Sequence, residues 1–189
     1  MRGGAARGRR AWLVIVVVAV AAVAAVAAGC GAGTNGIPAS LPPASVGPAT
    51  TVTGATAQTR GAIVAALSAA SIQLLDASRP YRPPESGRLR DAPRAVFQIP
   101  LPAHPDEGYL VVYEFPDATA AVDAGNEEAG FLGTGPARVN FPRDAQHALR
   151  EVGPTLVLFS WSPSDADAST EAAVATALGT LGIGFTVPN

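Results

Sequence analysis

Two short polar segments carry the side chains best suited to binding a metal ion. One is the run His104-Pro105-Asp106-Glu107, and the other contains Asp165 and Asp167 on either side of an alanine. A zinc site typically uses several His or Cys ligands at short spacing, and an EF-hand loop needs a later Gly and Glu, so neither segment completes a known pattern. Solvated turn residues explain the first segment better, and helix capping explains the second. The sequence therefore predicts no metal site and no cofactor.

The chain carries no recognisable catalytic motif. It contains no Lys, which excludes a Schiff-base lysine and the phosphate-binding lysine of a P-loop. It contains no Gly-x-Ser-x-Gly elbow and no Ser or Cys in a recognisable nucleophile setting. The glycine-rich run 130–135 follows a predicted helix instead of joining a strand to a helix, so it is more typical of a helix end than of a phosphate cradle. The sequence therefore favours a protein that is not an enzyme.

The single cysteine lies directly after a long apolar run near the amino terminus. Four arginines, the last at position 10, precede an unbroken apolar segment over residues 11–28, and Gly29 and Cys30 follow. A basic start, an apolar run and small residues form the order of an export signal. An exported protein with one unpaired cysteine needs a role for that cysteine.

The run Ala27-Ala28-Gly29-Cys30 resembles the lipobox of bacterial lipoproteins. The resemblance implies that a signal peptidase cuts before Cys30, so that residues 1–29 are a lipoprotein signal peptide. It also implies that Cys30 carries a diacylglyceryl group on its sulfur, and often an acyl chain on its new amino group. These chains would anchor the protein in the cell membrane with its folded part on the extracytoplasmic side, because two or more chains suffice for stable anchoring.

Two alternatives to the lipid anchor remain open. Residues 11–28 could be an uncleaved membrane helix, although their number is near the lower limit for a span. The segment could also be an ordinary signal peptide, whose removal would release a secreted protein with a free thiol.

The rest of the chain is acidic. Removal of residues 1–29 leaves nine basic and 15 acidic residues, a net charge of −6. Such a charge argues against a nucleic-acid partner and against electrostatic attachment to anionic lipid. The predicted partners are therefore the membrane, through the lipid on Cys30, and a protein.

Residues 30–57 are uncharged and rich in Gly, Pro, Ala, Ser and Thr, which predicts a flexible, lipid-anchored linker. Residues 58–189 have a length that suits one domain. Apolar periodicity in this domain predicts helices over about 58–70, 117–129 and 162–181.

Alternating apolar residues predict the strands of the domain. The predicted strands cover residues 71–76, 95–101, 109–115, 138–141 and 155–161, with a short last strand at 184–187. Residues 71–76 could instead extend the first helix, and segments 79–93 and 142–153 are predicted to be irregular.

Hairpins between neighbouring strands imply antiparallel pairing. The prediction is an α+β fold: a two-layer sandwich of a mostly antiparallel sheet and about three helices, loosely ferredoxin-like in outline. The pattern is similar to uncharacterised domains of other small bacterial lipoproteins, a likeness that implies no activity.

Alternation along the strands divides the sheet residues into two sets. The set predicted to form the core contains Phe97, Ile99, Leu101, Tyr109, Val111, Tyr113, Phe115, Val157, Phe159 and Trp161. The other set contains polar residues together with Val112, Leu158, Leu110 and Leu156, more aliphatic residues than a solvated face needs. Either a helix or the 79–93 segment covers these four residues, or they form an exposed candidate binding face for a protein or ligand.

Two classes of function follow. The first is a membrane-anchored binding or interaction module, and the second is a ligand-binding or enzymatic domain whose site the sequence does not reveal. An exposed apolar sheet face would favour the first class, whereas a closed pocket with convergent polar groups would favour the second.

Overall fold

A computed structural model describes residues 53–188, which contain six strands and five helices. The strands are β1 (Leu75–Asp76), β2 (Arg94–Gln98), β3 (Tyr109–Glu114), β4 (Gln146–Val152), β5 (Thr155–Trp161) and β6 (Ile183–Gly184). The helices are α1 (Gly54–Ala69), α2 (Gly87–Asp91), α3 (Ala118–Leu132), α4 (Gly135–Arg138) and α5 (Ala168–Leu178). The predicted signal peptide, Cys30 and nearly all of the predicted linker lie outside the described residues.

The six strands form one sheet in the order β1-β2-β3-β5-β4-β6, and every neighbouring pair is antiparallel. The β4–β5 hairpin turns through Gly153 and Pro154, and Gly153 has a φ of 61° that favours glycine. The α+β class and the antiparallel sheet are therefore confirmed.

Helices cover both faces of the sheet. On the α1/α5 face, Ile63 and Leu67 of α1 and Val174 and Leu178 of α5 pack against Val157 and other sheet residues. On the opposite face, called the α2–α4 face, buried side chains of α2, α3 and α4 pack against the sheet. They include Leu89, Ala124, Leu132 and Ala137. The structure has five helices where the sequence predicts about three. Because helices lie on both faces of the sheet, the domain has three layers instead of the predicted two.

The predicted assignment of β3 side chains to the two faces of the sheet is wrong. Val112 pairs with Ala95 and Val157, and directly opposed residues share a face, so Leu110 and Val112 lie on the α1/α5 face. Val111 and Tyr113 lie on the other face with Leu156 and Leu158. The prediction reversed β3 because strand alternation by itself says nothing about which face of a neighbouring strand each set joins.

The candidate binding face is therefore corrected. Val112 and Leu110 are wholly buried under α1 and α5, whereas Leu156 and Leu158 are buried under the helices of the other side. The four residues do not form one surface, and none is exposed. The alternative, that a helix or the 79–93 segment covers them, is confirmed, because helices cover all four and α2 lies within that segment.

Strand β4 occupies a segment predicted to be irregular. Its sequence contains Arg150 and Glu151, and it leaves Gln146 exposed, so it lacks the regular apolar alternation on which the prediction relied. Pairing along the whole of β5 stabilises it instead. Residues 138–141, predicted as a strand, contain the end of α4 and the turn after it.

The helix ends agree unevenly with the prediction. The helix predicted over 162–181 begins only at Ala168 and ends at Leu178, and the Ser162 hydroxyl donates to Asp144 instead of capping it. Asp117 caps α3 as predicted, because its carboxylate accepts the Ala120 amide at 2.8 Å. The first helix begins four residues earlier than predicted, after Thr53, whose hydroxyl accepts the Thr56 amide. Within residues 53–188, none of the helices combines the length and the apolar character needed to cross a bilayer.

Candidate functional site

The loop between β2 and β3 carries the first half of the candidate site. Two hydrogen bonds from the Gln98 amide, to the carbonyls of Pro105 and Glu107, hold this loop against the sheet. Gly108 closes the loop with a φ of +78°, and a Cβ there would lie 2.4 Å from the carbonyl oxygen of Ile99. The loop conformation therefore requires glycine at position 108, and it places His104 at the end of the sheet.

The turn between β5 and α5 carries the second half. The carboxylate of Asp144 accepts the Ser162 hydroxyl at 2.8 Å and the Ser164 amide at 3.0 Å. Hydrogen bonding to the side chain of Ser164, and then to that of Ser162, lowers the pKa of Asp144. Because β3 and β5 are antiparallel, the start of β3 and the end of β5 lie at the same end of the sheet. The His104 loop and the Asp165 turn therefore meet there.

Asp167 joins the two halves. It occupies the residue before α5, but its side chain makes no capping bond to that helix. Its carboxylate instead accepts the backbone amides of Ala103 at 3.0 Å and His104 at 2.9 Å. Asp167 is only 4% exposed, so these two amide bonds compensate part of the cost of burying its charge.

The His104 ring lies against two carboxylates. Its Nδ1 atom is 3.0 Å from Asp165 Oδ1 and 3.2 Å from Asp167 Oδ2. Asp165, followed by smaller contributions from other groups, raises the pKa of His104. Although the distances are short, neither oxygen lies in the direction that a hydrogen bond from Nδ1 requires. The contact is therefore chiefly electrostatic.

Glu171 adds a third carboxylate. It lies one helical turn after Asp167 on the same side of α5 and is 6% exposed. Its Oε2 atom is buried and has no hydrogen-bond partner within residues 53–188. Burial, and then the neighbouring carboxylates of Asp165, Asp167 and Glu107, raise the pKa of Glu171 to about 7.

These four residues, His104, Asp165, Asp167 and Glu171, form what we call the acidic corner. The ligand atoms of the first three lie within 4.8 Å of one another. One imidazole nitrogen beside three carboxylates offers several electron-pair donors and an excess of negative charge. Such an arrangement can bind a cation or a cationic group.

A second group of buried polar residues lies beneath α2. Glu85 accepts hydrogen bonds from the Tyr113 hydroxyl at 2.8 Å and from Arg82 Nε at 2.7 Å, and Arg94 is 3.6 Å away. Burial, and then the charge of Glu85, raise the pKa of the Tyr113 hydroxyl. Because the Glu85 carboxylate is paired with these groups of the protein itself, this group holds the 79–93 segment to the sheet.

Two clefts on the described surface are lined by residues outside the acidic corner. A small cavity of about 30 Å³ is bordered by Arg138, Arg143 and His147, among others. A shallow cleft of about 400 Å³ lies near Phe115 and Arg88. In the first cavity, burial lowers the pKa of His147, and its Nδ1 lies 2.8 Å from the Ser160 hydroxyl.

The sequence pointed to both halves of the acidic corner without joining them. His104 was interpreted as a turn residue and the Asp165 segment as a helix cap, and more than 60 residues separate the two. Glu171 was not predicted, because an acidic residue in the first turn of a helix is usual. Of the other predicted site residues, Cys30 lies outside the described residues and the four sheet residues are core.

Comparisons with known proteins identify no relative of this chain. No known protein family matches it. No curated protein matches it, and neither does any solved structure. A proposal for its function therefore rests on its own residues.

Proposed function

We propose that this protein is a bacterial lipoprotein, anchored in the cell membrane through lipid on Cys30, whose extracytoplasmic domain is a binding module. The observation that carries the proposal is the order of the first 30 residues: arginines, an apolar run, and Ala27-Ala28-Gly29-Cys30. Cys30 is the single cysteine of the chain, so a structural disulfide offers no other role for it.

The acidic corner is the part of the domain best suited to binding. Both sheet faces are covered by helices, so the apolar sheet face that the sequence offered is not open to a partner. The corner instead combines converging charged groups with partial exposure, since the side chains of His104 and Asp165 are 41% and 27% exposed. A polar ligand could therefore reach it from solvent.

The position of the corner suits a protein anchored through its amino terminus. Thr53 and Thr56 donate hydrogen bonds to Glu114, so the chain enters the domain at the Glu114 end of β3. The acidic corner lies at the opposite end of the sheet, roughly 20 Å away for a strand of this length. The first described residues thus lie far from the binding residues.

Binding is favoured over catalysis by the chemistry of the corner. It presents carboxylates and an imidazole, but no hydroxyl or thiol is paired with that imidazole as a nucleophile would be. The two clefts described above are lined by other residues, and the smaller one, of about 30 Å³, has room for little more than a water molecule.

The lipid anchor is tested with the full chain expressed in a bacterium that processes lipoproteins. We expect the wild-type protein to enter the detergent phase and its mature amino terminus to be Cys30 with a diacylglyceryl mass. Cys30→Ser should remain in the aqueous phase or keep its signal peptide. Thr34→Ser, a substitution outside the lipobox, is the matched control and should behave as wild type.

Two results would contradict the anchor. A retained Met1 in the membrane fraction would support the uncleaved helix. An unmodified Cys30 in the soluble fraction would support secretion.

A further inference from the structure

We propose that the acidic corner binds one divalent transition-metal ion, Zn²⁺, through His104 Nδ1, carboxylate oxygens of Asp165 and Asp167, and a water molecule adjacent to Glu171. The inference rests on that part of the proposed function which assigns binding to this corner, and it does not depend on the lipid anchor. It also revises the expectation from the sequence that the protein has no metal site.

The unpartnered carboxylate of Glu171 is the observation that points to a cation. A cluster of acids on a solvated surface needs no ligand, but Glu171 is 6% exposed and its Oε2 has no hydrogen-bond partner among the described residues. A buried carboxylate without a partner is costly unless it takes up a proton or meets a positive charge. Glu171 lies one helical turn after Asp167 on the same side of α5, next to the cluster of His104, Asp165 and Asp167.

The charges around the corner do not balance within the protein. Three carboxylates and the nearby Glu107 face one imidazole, which carries a charge only when it is protonated. Arg79 pairs with Asp106 of the β2–β3 loop, at 3.3 Å. A divalent cation would supply the missing positive charge and would hold His104 in its neutral, ligating form.

The ligand atoms are already held in place by hydrogen bonds from the backbone. The amides of Ala103 and His104 orient Asp167, and the Asp167 amide donates to Asp165 Oδ1 at 3.0 Å. Bonds of this kind orient metal ligands in established sites. The site would therefore need little rearrangement on binding.

The distances suit a small tetrahedral ion. Zn²⁺ lies about 2.0–2.2 Å from nitrogen and oxygen ligands, so two ligands of a tetrahedral site are about 3.4 Å apart. His104 Nδ1 lies 3.0 Å and 3.2 Å from its two carboxylate neighbours, only a few tenths of an ångström less.

The donor set also distinguishes among ions. Ca²⁺ prefers six to eight oxygens at longer distances, and Mg²⁺ keeps several waters and avoids imidazole. A set of one nitrogen and three oxygens suits Zn²⁺. The same set should bind Mn²⁺ more weakly, because Mn²⁺ lies lower in the affinity order of divalent transition metals.

The test is a calorimetric titration of the untagged full chain in detergent with ZnCl₂, repeated with MnCl₂ and CaCl₂. We expect one Zn²⁺ per chain, weaker Mn²⁺ binding and no Ca²⁺ binding. His104→Gln, Asp165→Asn and Glu171→Gln should each weaken Zn²⁺ binding at least about tenfold, the effect usual even for residues that merely support a ligand. Asp106→Asn, which alters an exposed acid of the same loop, is the matched control and should keep the wild-type affinity.

A second measurement uses only the wild-type protein, so it does not depend on whether the variants fold. X-ray absorption at the zinc edge of the loaded wild-type protein should show four nitrogen or oxygen ligands, with the scattering pattern of a single imidazole. Absence of Zn²⁺ binding by the wild-type protein would overturn the proposal and leave His104 as an ion-pair partner of the two aspartates. Binding that all three variants retain, or a spectrum with two imidazoles, would overturn it too.

Failure of the metal site and failure of the anchor are separate results. A protein that enters the detergent phase but binds no Zn²⁺ keeps the lipoprotein proposal and loses the metal site. A protein that binds Zn²⁺ through these residues but remains unlipidated keeps the metal site and loses the lipoprotein proposal.

Discussion

At the scale of single residues, burial raises the pKa of two glutamates, Glu171 and Glu128. Glu171 is 6% exposed at the acidic corner, whereas Glu128, on α3, is wholly buried and faces the start of α2. One Glu128 oxygen accepts the Ser86 amide at 2.8 Å, and the other has no partner. Burial raises the pKa of Glu128 above its ordinary value.

We predict that Glu128→Gln stabilises the protein above neutral pH. A folded-state pKa above the unfolded value of 4.5 means that the folded protein loses stability as the pH rises through the folded pKa. Gln carries no charge and still offers an acceptor to Ser86. Urea unfolding should give a variant as stable as wild type near pH 4 and more stable by about 1 kcal/mol at pH 8.

Glu127→Gln is the control for this prediction, because it removes a neighbouring carboxylate of the same helix that is 39% exposed. If Glu128→Gln were less stable than wild type at pH 8, the prediction would be wrong, and the charge of Glu128 would stabilise the folded state.

At the scale of elements, side chains join pieces that are distant in the chain. Asp167 links the start of α5 to the β2–β3 loop through hydrogen bonds, and Arg150 of β4 donates hydrogen bonds to the segment after the other end of that helix. Arg150 Nε donates to the Leu181 carbonyl at 2.8 Å, and its Nη2 donates to the carbonyls of Gly179 at 2.8 Å and Gly182 at 3.1 Å. These carbonyls follow the last turn of α5, so a cation there is favourable.

We predict that Arg150→Lys destabilises the protein although it keeps the charge. A lysine has one donor atom, so it cannot reach three carbonyls with the spread of a guanidinium. Lost hydrogen bonds at these exposed or partly buried carbonyls should lower the free energy of unfolding by about 0.5–1.5 kcal/mol, measured from the urea midpoint. Arg90→Lys, at a side chain that is 62% exposed, should change it by less than about 0.5 kcal/mol. Equal effects of the two substitutions would mean that Arg150 acts only through its charge.

At the scale of the whole molecule, the sheet is the middle of three layers. Val112 is wholly buried on the α1/α5 face, and Leu158 is 2% exposed on the α2–α4 face. Both layers of helices are therefore needed to remove the sheet from water.

We predict that Val112→Lys and Leu158→Lys each destabilise the protein strongly. Each would place an unpaired ammonium in an apolar layer, which should cost about 3 kcal/mol or more. Thermal and urea unfolding should show the loss for both, whereas Val139→Lys, at a residue that is 82% exposed, should stay within about 0.5 kcal/mol of wild type. If either core variant kept wild-type stability, that face of the sheet would be open to solvent.

The sequence alone was sufficient for features that depend on neighbouring residues. The aromatic and β-branched run at Tyr109 predicted β3, the run at Thr155 predicted β5, and Asp117 predicted the start of α3. Backbone preference and capping act over a few residues, so their signals are present in the chain itself. The likeness of the segment ending at Cys30 to a lipobox is local in the same sense.

Tertiary structure decided the features that depend on distant residues. Leu110 and Val112 belong to the α1/α5 face because of the register with β2, and β4 forms because β5 lies beside it. His104 and Asp165 meet because the start of β3 and the end of β5 share one end of the sheet. Sheet register and helix packing come from long-range contacts, and local periodicity carries no information about which distant side chains such contacts bring together.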